Sequence, residues 1–395
     1  MKRIGKTHRQ AAPSLRRLGI AALLAITSIA GGMGRAQAQT NWPQLSFNDA
    51  HLGFNPSETV LSVSNVSSLR QLWTFPAAGS LSSPAVVNGV LYIGSGDGRA
   101  YAVNANSGAL VWKTSLAGGG TSASPAVVNG MVYLGTGVDS GDFYALNDTN
   151  GKIVWSFRPK AGVPSSAAVS GGIVYFGSND GFVYALKAST GALVWKVNTG
   201  QAISSSPAVD GGMVFVGNEA GTTYALNAAT GAIVWTFASL DNPIFSSPAV
   251  ANGLVYVAEN DGEFVALNET TGAVVWDDQL TGFDPLYAPP AVANGVVYVG
   301  TSDGTFFALN AATGVEIWEN TVDNGQEIFF SSPAVANGVV YAAGEGPSIY
   351  LFNAATGQLL NTLTTGGILY FSSPIAVNGK VYVGSFDKKI HAWGL

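Results

Sequence analysis

The chain has 395 residues, 11% of them charged, with 50 glycines and no cysteine. Its formal net charge of −6 disfavours nucleic acid and anionic membrane surfaces as partners. The missing cysteines exclude disulfides, thiolate metal sites, covalently attached haem and a lipidated cysteine behind an export signal.

The first 38 residues read as a secretory signal peptide. Lys2, Arg3, Lys6, Arg9, Arg16 and Arg17 precede an apolar run from Leu18 to Ile29, and Ala36-Gln37-Ala38 supplies a small-x-small cleavage pattern. The run is about a dozen residues, too short to span a bilayer. The flanks of Arg16-Arg17 fit twin-arginine export poorly. Removing residues 1–38 leaves 11 basic and 24 acidic residues, a net charge of −13. The expectation is a soluble, monomeric, periplasmic or extracellular protein with no membrane span and no lipid anchor.

Residues 39–65 lead into a repeat region over 66–395. SSPAVANGLVYVAENDGEFVALNETTGAVVW, ending at Trp276, is followed by APPAVANGVVYVGTSDGTFFALNAATGVEIW, ending at Trp318. The series Trp73, Trp112, Trp155, Trp195, Trp235, Trp276 and Trp318 is spaced by 39 to 43 residues, with Leu360 in the eighth place. That period, with four short strands per unit, is the signature of a propeller. Ser-Pro-Ala-Val opens an inner strand, and Asn-Gly or Gly-Gly supplies the positive-φ pair of a tight hairpin. An apolar β-branched strand follows, then a Gly/Asp turn, a third strand, and Asn-x-x-Thr-Gly before the Trp strand. Eight Ser-Pro-Ala-Val-like starts occur, near residues 83, 124, 166, 206, 247, 290, 332 and 373. The last unit stops at Leu395 after its third strand, whereas Leu72-Trp73-Thr74-Phe75 is a Trp strand with no unit before it. The fold expected is all-β: an eight-bladed β-propeller of four-stranded antiparallel blades, closed by an N-terminal strand.

Ala225 to Trp235, AlaLeuAsnAlaAlaThrGlyAlaIleValTrp, resembles the tryptophan-docking motif of the pyrroloquinoline-quinone-like (quinoprotein dehydrogenase-like) propeller family. Asn41-Trp42-Pro43, Asn55-Pro56-x-Glu58, Val66 and Trp73 are similar to the start of such propellers, so the resemblance covers about residues 41–395. It implies a blade-docking role for the seven Trp residues. It also implies two functional branches. One holds pyrroloquinoline quinone and Ca²⁺ on the propeller axis and oxidises alcohols or sugars. The other is non-catalytic, similar to the lipoprotein that assists outer-membrane barrel assembly, and binds envelope proteins.

Quinone chemistry needs an Asp base, oxygen ligands for Ca²⁺ and cations for the cofactor carboxylates. No such set maps residue by residue onto this chain, and the adjacent-Cys disulfide of many alcohol-oxidising members is impossible. Arg158 and Lys160, in a connection between blades, are either candidate funnel cations or solvated loop residues. Asp97, Asp142, Asp180, Glu219, Asp261, Asp303, Glu345 and Asp387 recur between second and third strands. Asp before Gly is ordinary turn chemistry, although a ring of carboxylates could attract cations or basic partners. Phe245, Tyr287, Phe329, Phe330, Tyr370 and Phe371 precede successive inner strands and are expected to cluster at one mouth of the channel. They either bind a ligand or plug the channel. Outside the signal only His51 and His391 remain, too few for a His-rich metal site. The leading expectation is therefore a non-catalytic, exported propeller that binds a protein, peptide or small ligand on its funnel face. A quinone- and Ca²⁺-dependent dehydrogenase and a structural module of an envelope assembly are the alternatives.

Overall fold

The computed structural model describes residues 40–395, except 138, 140, 240–242, 283, 326 and 371 and the side chain of 324. The signal-peptide reading of residues 1–38 lies outside the described residues. Each repeat folds as expected from its turns. In the first, Ala85–Val87 and Val90–Ser95 are joined by Asn88 and Gly89 at φ 50° and 76°, the pair a type I′ hairpin requires. Arg99–Asn104 and Leu110–Ser115 complete an antiparallel sheet of four strands. Second strands such as Val214–Val216 are fully buried, because they lie between neighbouring blades, whereas fourth strands such as Ile233–Ala238 alternate towards solvent.

Eight sheets result, seven of four strands and one of five. Arg70–Pro76 pairs antiparallel with Lys389–Gly394, so the N-terminal strand is the outer strand of the eighth blade. The fifth strand of blade seven is Phe54–Asn55, parallel to its inner strand Ala334–Ala336.

Neighbouring blades are joined through the Trp series. The Trp195 indole N–H donates to the Ala228 carbonyl at 2.9 Å, and Trp112, Trp155, Trp235, Trp276 and Trp318 make the equivalent bond to the next blade at 2.7 to 3.0 Å. The ring face of Trp195 lies against Gly231, whose φ is +75° and whose added Cβ would stand 2.8 Å from the indole. Glycine meets both demands, a left-handed backbone and contact with an aromatic ring. The eighth place has Leu360 for a physical reason. In the last blade the third and fourth strands come from opposite ends of the chain, so no connecting turn exists there to accept an indole N–H. Asn361 instead donates to the Val66 carbonyl at 2.8 Å, tying blade seven to the N-terminal strand's approach.

The segment before that strand has a structure its sequence does not announce. Residues 42–55 pass the inner strands of all eight blades in order. Backbone N–H groups of Val86, Val127, Val209, Val250, Val292 and Val335 donate to the carbonyls of Trp42, Pro43, Asp49, Ala50, Leu52 and Gly53 at 2.7 to 2.9 Å. Val169 N–H donates to Gln44 Oε1 at 3.0 Å, and Asn55 Nδ2 donates to the Ala376 carbonyl at 3.0 Å. The inner strands are sheet edges facing the axis, and this segment satisfies at least one group from each.

Candidate functional site: an aromatic arc in the axial funnel

On the axis, a funnel of about 1020 Å³ is lined by Leu45, by the residues that start the inner strands and by the connections between blades. Its deeper wall is a chain of serines. Ser124, Ser166 and Ser206 N–H groups donate to the hydroxyls of Ser166, Ser206 and Ser247 at 2.8 to 2.9 Å. Ser332 and Ser373 continue the pattern to Ser373 and Ser83 at 3.0 and 2.8 Å. Blade six breaks it, because Pro289 has no N–H to give, and Ser332 Oγ is left without a partner. These hydroxyls accept backbone bonds. No His lies among the described lining residues to activate them.

The rim is lopsided. On blades two to four the position that precedes the serine by two residues holds Ser122, Pro164 and Ser204, next to the glycines 118–120. On blades five to seven the same position holds Phe245, Tyr287 and Phe330. Tyr287 and Phe330 stack with centroids 4.7 Å apart and an interplanar angle of 19°. Phe330 meets Tyr370 of blade eight at 4.3 Å, and Phe245 and Phe386 extend the arc at 6.4 and 6.5 Å. Phe245 is 40% exposed and Phe386 38%, so the ends of the arc are open to solvent. Burial, then the charge of Glu345, raises the Tyr370 hydroxyl, which therefore stays a neutral donor.

The structure thus brings Phe245, Tyr287, Phe330 and Tyr370 together and adds Phe386, which the sequence reading missed. Phe329 goes elsewhere. It is 1% exposed and packs against Phe306 and Tyr350 between blades, because successive side chains of an extended connection point to opposite sides. Phe371 lies outside the described residues. Arg158 and Lys160 are not among the residues lining the funnel. The exposed Arg158 guanidinium grips Asp142 in a bidentate pair, with Nη2 to Oδ2 at 2.6 Å, and holds that carboxyl below its ordinary range. Lys160 is exposed and gives its backbone N–H to Asp180 at 2.9 Å. Several turn carboxylates serve their own turns: Asp97, Asp180 and Asp387 each accept the N–H two residues on at 3.0 to 3.1 Å. His391 contacts Asp387 at 3.0 Å inside blade eight.

Two buried ionisable groups were not foreseen. His51 is enclosed beneath the inner strands, with Nδ1 3.1 Å from the Pro248 carbonyl, and its burial lowers its pKa to about 4. Glu259 is 0% exposed, and burial is the main cause that pushes its carboxyl up to about 7. The first is a neutral donor to a carbonyl; the second is taken up below. No described helix is long and apolar enough to cross a membrane.

Comparison with known proteins agrees with this geometry. Residues 136–395 match the family model described as "Beta-alanine-activating enzyme, beta-propeller", and residues 57–196 match that of the outer membrane protein assembly factor BamB. A tetrathionate hydrolase from Acidithiobacillus ferrooxidans is 30% identical over 130 residues, which is 33% of this chain and only 25% of that enzyme. BamB from Moraxella catarrhalis superposes with a TM-score of 0.68 at 23% identity, covering 83% of this chain and 98% of that one. A europium-containing methanol dehydrogenase superposes with a TM-score of 0.77 at 15% identity, covering 90% and 98%. At such identities the structural likenesses speak for the fold, which is common to catalytic and assembly proteins. The chain belongs to the beta-propeller family described for the beta-alanine-activating enzyme, within the pyrroloquinoline-quinone-like propellers.

Proposed function

We propose that this protein is an exported, non-catalytic propeller whose aromatic arc seats a segment of an envelope or extracellular protein or peptide. The observation that carries this reading is the continuous run of ring contacts Tyr287–Phe330–Tyr370, partly exposed at the mouth of a wide funnel. Aromatic anchors beside polar hydroxyls are the usual composition of peptide-binding surfaces. Charge narrows the partner. Residues 197–379 hold sixteen acidic residues and no Lys, Arg or His, so the half of the ring that bears most of the arc is anionic. A peptide with aromatic and basic side chains fits it by stacking, cation–π contact and charge attraction. Export, a periplasmic or extracellular location and a monomeric state are part of the same reading, supported by the signal-like residues 1–38 and by the likeness to an envelope assembly factor. A structural place in an envelope assembly would use the same arc.

The competing reading is a quinoprotein dehydrogenase, supported by the methanol dehydrogenase likeness. The residues present do not fit its cofactor. Pyrroloquinoline quinone carries three carboxylates, whereas the described funnel lining offers Asp139 as its charged side chain and no Lys, Arg or His. An anionic cofactor with Ca²⁺ would enter a site without countercharges for it.

The test of the binding reading is a fluorescence-anisotropy titration of labelled peptides that vary in aromatic and basic content. Peptides carrying both are expected to bind the wild type best. The triple variant Tyr287→Ser, Phe330→Ser, Tyr370→Ser is expected to weaken them by tenfold or more, roughly the loss of one or two aromatic anchors. Equal affinity in a variant that keeps its circular dichroism spectrum would remove the arc from the account.

A further inference from the structure

In blades two, three, four and eight, the residue that follows the second strand is a donor that fastens the incoming connection. Thr136 Oγ1 donates to the Ala117 carbonyl at 3.0 Å, Ser178 Oγ to Gly162 at 3.1 Å, Asn218 Nδ2 to Thr199 at 3.0 Å and Ser385 Oγ to Gly367 at 3.0 Å. Blade five has Glu259 at this position. An ionised carboxylate only accepts hydrogen bonds, so the fastening made elsewhere is lost. Glu259 is nevertheless fully buried, and neither of its oxygens has a partner in good hydrogen-bonding geometry, although the Ser239 hydroxyl lies near enough to favour its charged form. Ser239, on the facing connection, and Asn260 beside it also bring buried oxygens that lack partners.

A buried, unpartnered carboxylate is expensive unless something neutralises it. A proton would leave the carboxyl O–H in need of an acceptor, and the nearby Ser239 hydroxyl stands outside good hydrogen-bonding geometry for it. It would also leave Asp261 and Glu263, whose oxygens lie with that of Glu259 within 4.8 Å of one another. Asp277 stands close enough to Glu263 to share a hydrogen bond, adding a fourth carboxylate. No Lys, Arg or His occurs between residues 197 and 379 to balance them. A hard divalent cation answers all of these at once. Ligand oxygens about 2.3–2.6 Å from Ca²⁺ stand up to about 5 Å apart, and all-oxygen sets with carboxylates suit Ca²⁺ over softer metals.

We propose that the turn of blade five is a calcium-class cation site, with Glu259, Asp261 and Glu263 as carboxylate ligands and Asn260 and Ser239 offering further oxygens. The partly exposed Asp261 and Glu263 leave room for water to complete six to eight ligands. None of the three carboxylates lines the funnel, so the site is distinct from any ligand on the axis. It does touch the base of the aromatic arc, since Leu286 N–H donates to the Glu259 carbonyl at 3.0 Å beside Tyr287. The cation would fasten the connection that a side-chain donor fastens in blades two, three, four and eight. The proposal stands whether or not the arc binds a peptide.

The experiment is a terbium titration of the EDTA-stripped full chain, read by luminescence sensitised from its Tyr and Trp residues, with a parallel thermal melt in Ca²⁺. One saturable Tb³⁺ per chain, displaced by Ca²⁺, is expected. So is a rise of about 2–5 °C in the melting midpoint at a Ca²⁺ concentration about a hundredfold above its Kd. Glu259→Ser restores the hydroxyl found at Ser178 and Ser385, and is expected to fold and to lose both responses. Glu316→Gln, on an outer strand, is expected to keep them. Absence of saturable binding and of any melting shift in the wild type would overturn the proposal. Retention of both by Glu259→Ser would do the same.

Discussion

His51 shows how one buried side chain can set an acid limit. Its imidazole N–H donates a hydrogen bond to the Pro248 carbonyl, and its burial lowers its pKa from 6.5 to about 4. Between these values the unfolded chain binds a proton that the folded chain refuses. The stability this group allows is therefore complete above pH 6.5 and falls as the pH drops towards 4. The loss integrates to about 3 kcal/mol. His51→Asn keeps a residue that tolerates the observed φ of 58° and removes the titrating group. The difference in unfolding free energy between wild type and variant, measured from pH 7.5 to 4, is expected to change by about that amount, since other groups titrate alike in both. A difference that stays constant with pH would show that His51 is not held neutral by the fold. None of this was legible in the sequence, where His51 is one residue of an unpatterned segment. The arc was largely legible, because Phe245, Tyr287 and Phe330 occupy one column of the repeat. Phe329 was misplaced because column position was read without the alternation of an extended chain. Glu259 was visible as an acid in a column otherwise of Ser, Thr, Asn and Gly, but only its burial without a well-placed partner gives that substitution meaning.

At the scale of elements, the joints between blades carry the testable energetics. Gly231 and Gly212 have φ of +75° and +80°, so an alanine at either pays the left-handed cost of about 1–2 kcal/mol. Gly212 faces open space, whereas a Cβ at Gly231 meets the Trp195 ring. Gly231→Ala is expected to destabilise by at least about 1 kcal/mol more than Gly212→Ala, the scale of overpacking a tight contact. Equal losses in urea unfolding would mean that the indole contact is loose. The closure strand offers a larger effect. Deleting residues 66–77 removes Arg70–Pro76 from Lys389–Gly394 and Trp73 from its contact with Gly108. A lower melting midpoint and increased self-association through the bared edge are expected. An unchanged midpoint would argue that the ring is sealed elsewhere. Counting repeats made this strand readable in advance, because a unit without a fourth strand and a fourth strand without a unit complete each other.

For the whole molecule, a nearly eightfold frame carries a function that is not eightfold. Segment 42–55 uses the frame's regularity, bonding to each inner strand in turn, while the funnel mouth departs from it with aromatic rings on blades five to eight and small residues on blades two to four. The charges divide in a similar sense, with no cation from residue 197 to 379. Strand order and blade number follow from period and turn chemistry, which every repeat states again. Segment 42–55 is illegible for the opposite reason: it has no repeat, and it bonds mostly through its backbone to residues 44 to 321 positions away. The choice of binding over quinone chemistry depends most on the described funnel lining, which offers no cationic side chain for an anionic quinone. Its most direct check is a titration of the purified chain with pyrroloquinoline quinone and Ca²⁺, followed by dye reduction with alcohols and sugars. No saturable quinone binding and no substrate-dependent turnover are expected; stoichiometric binding with turnover would establish a dehydrogenase instead.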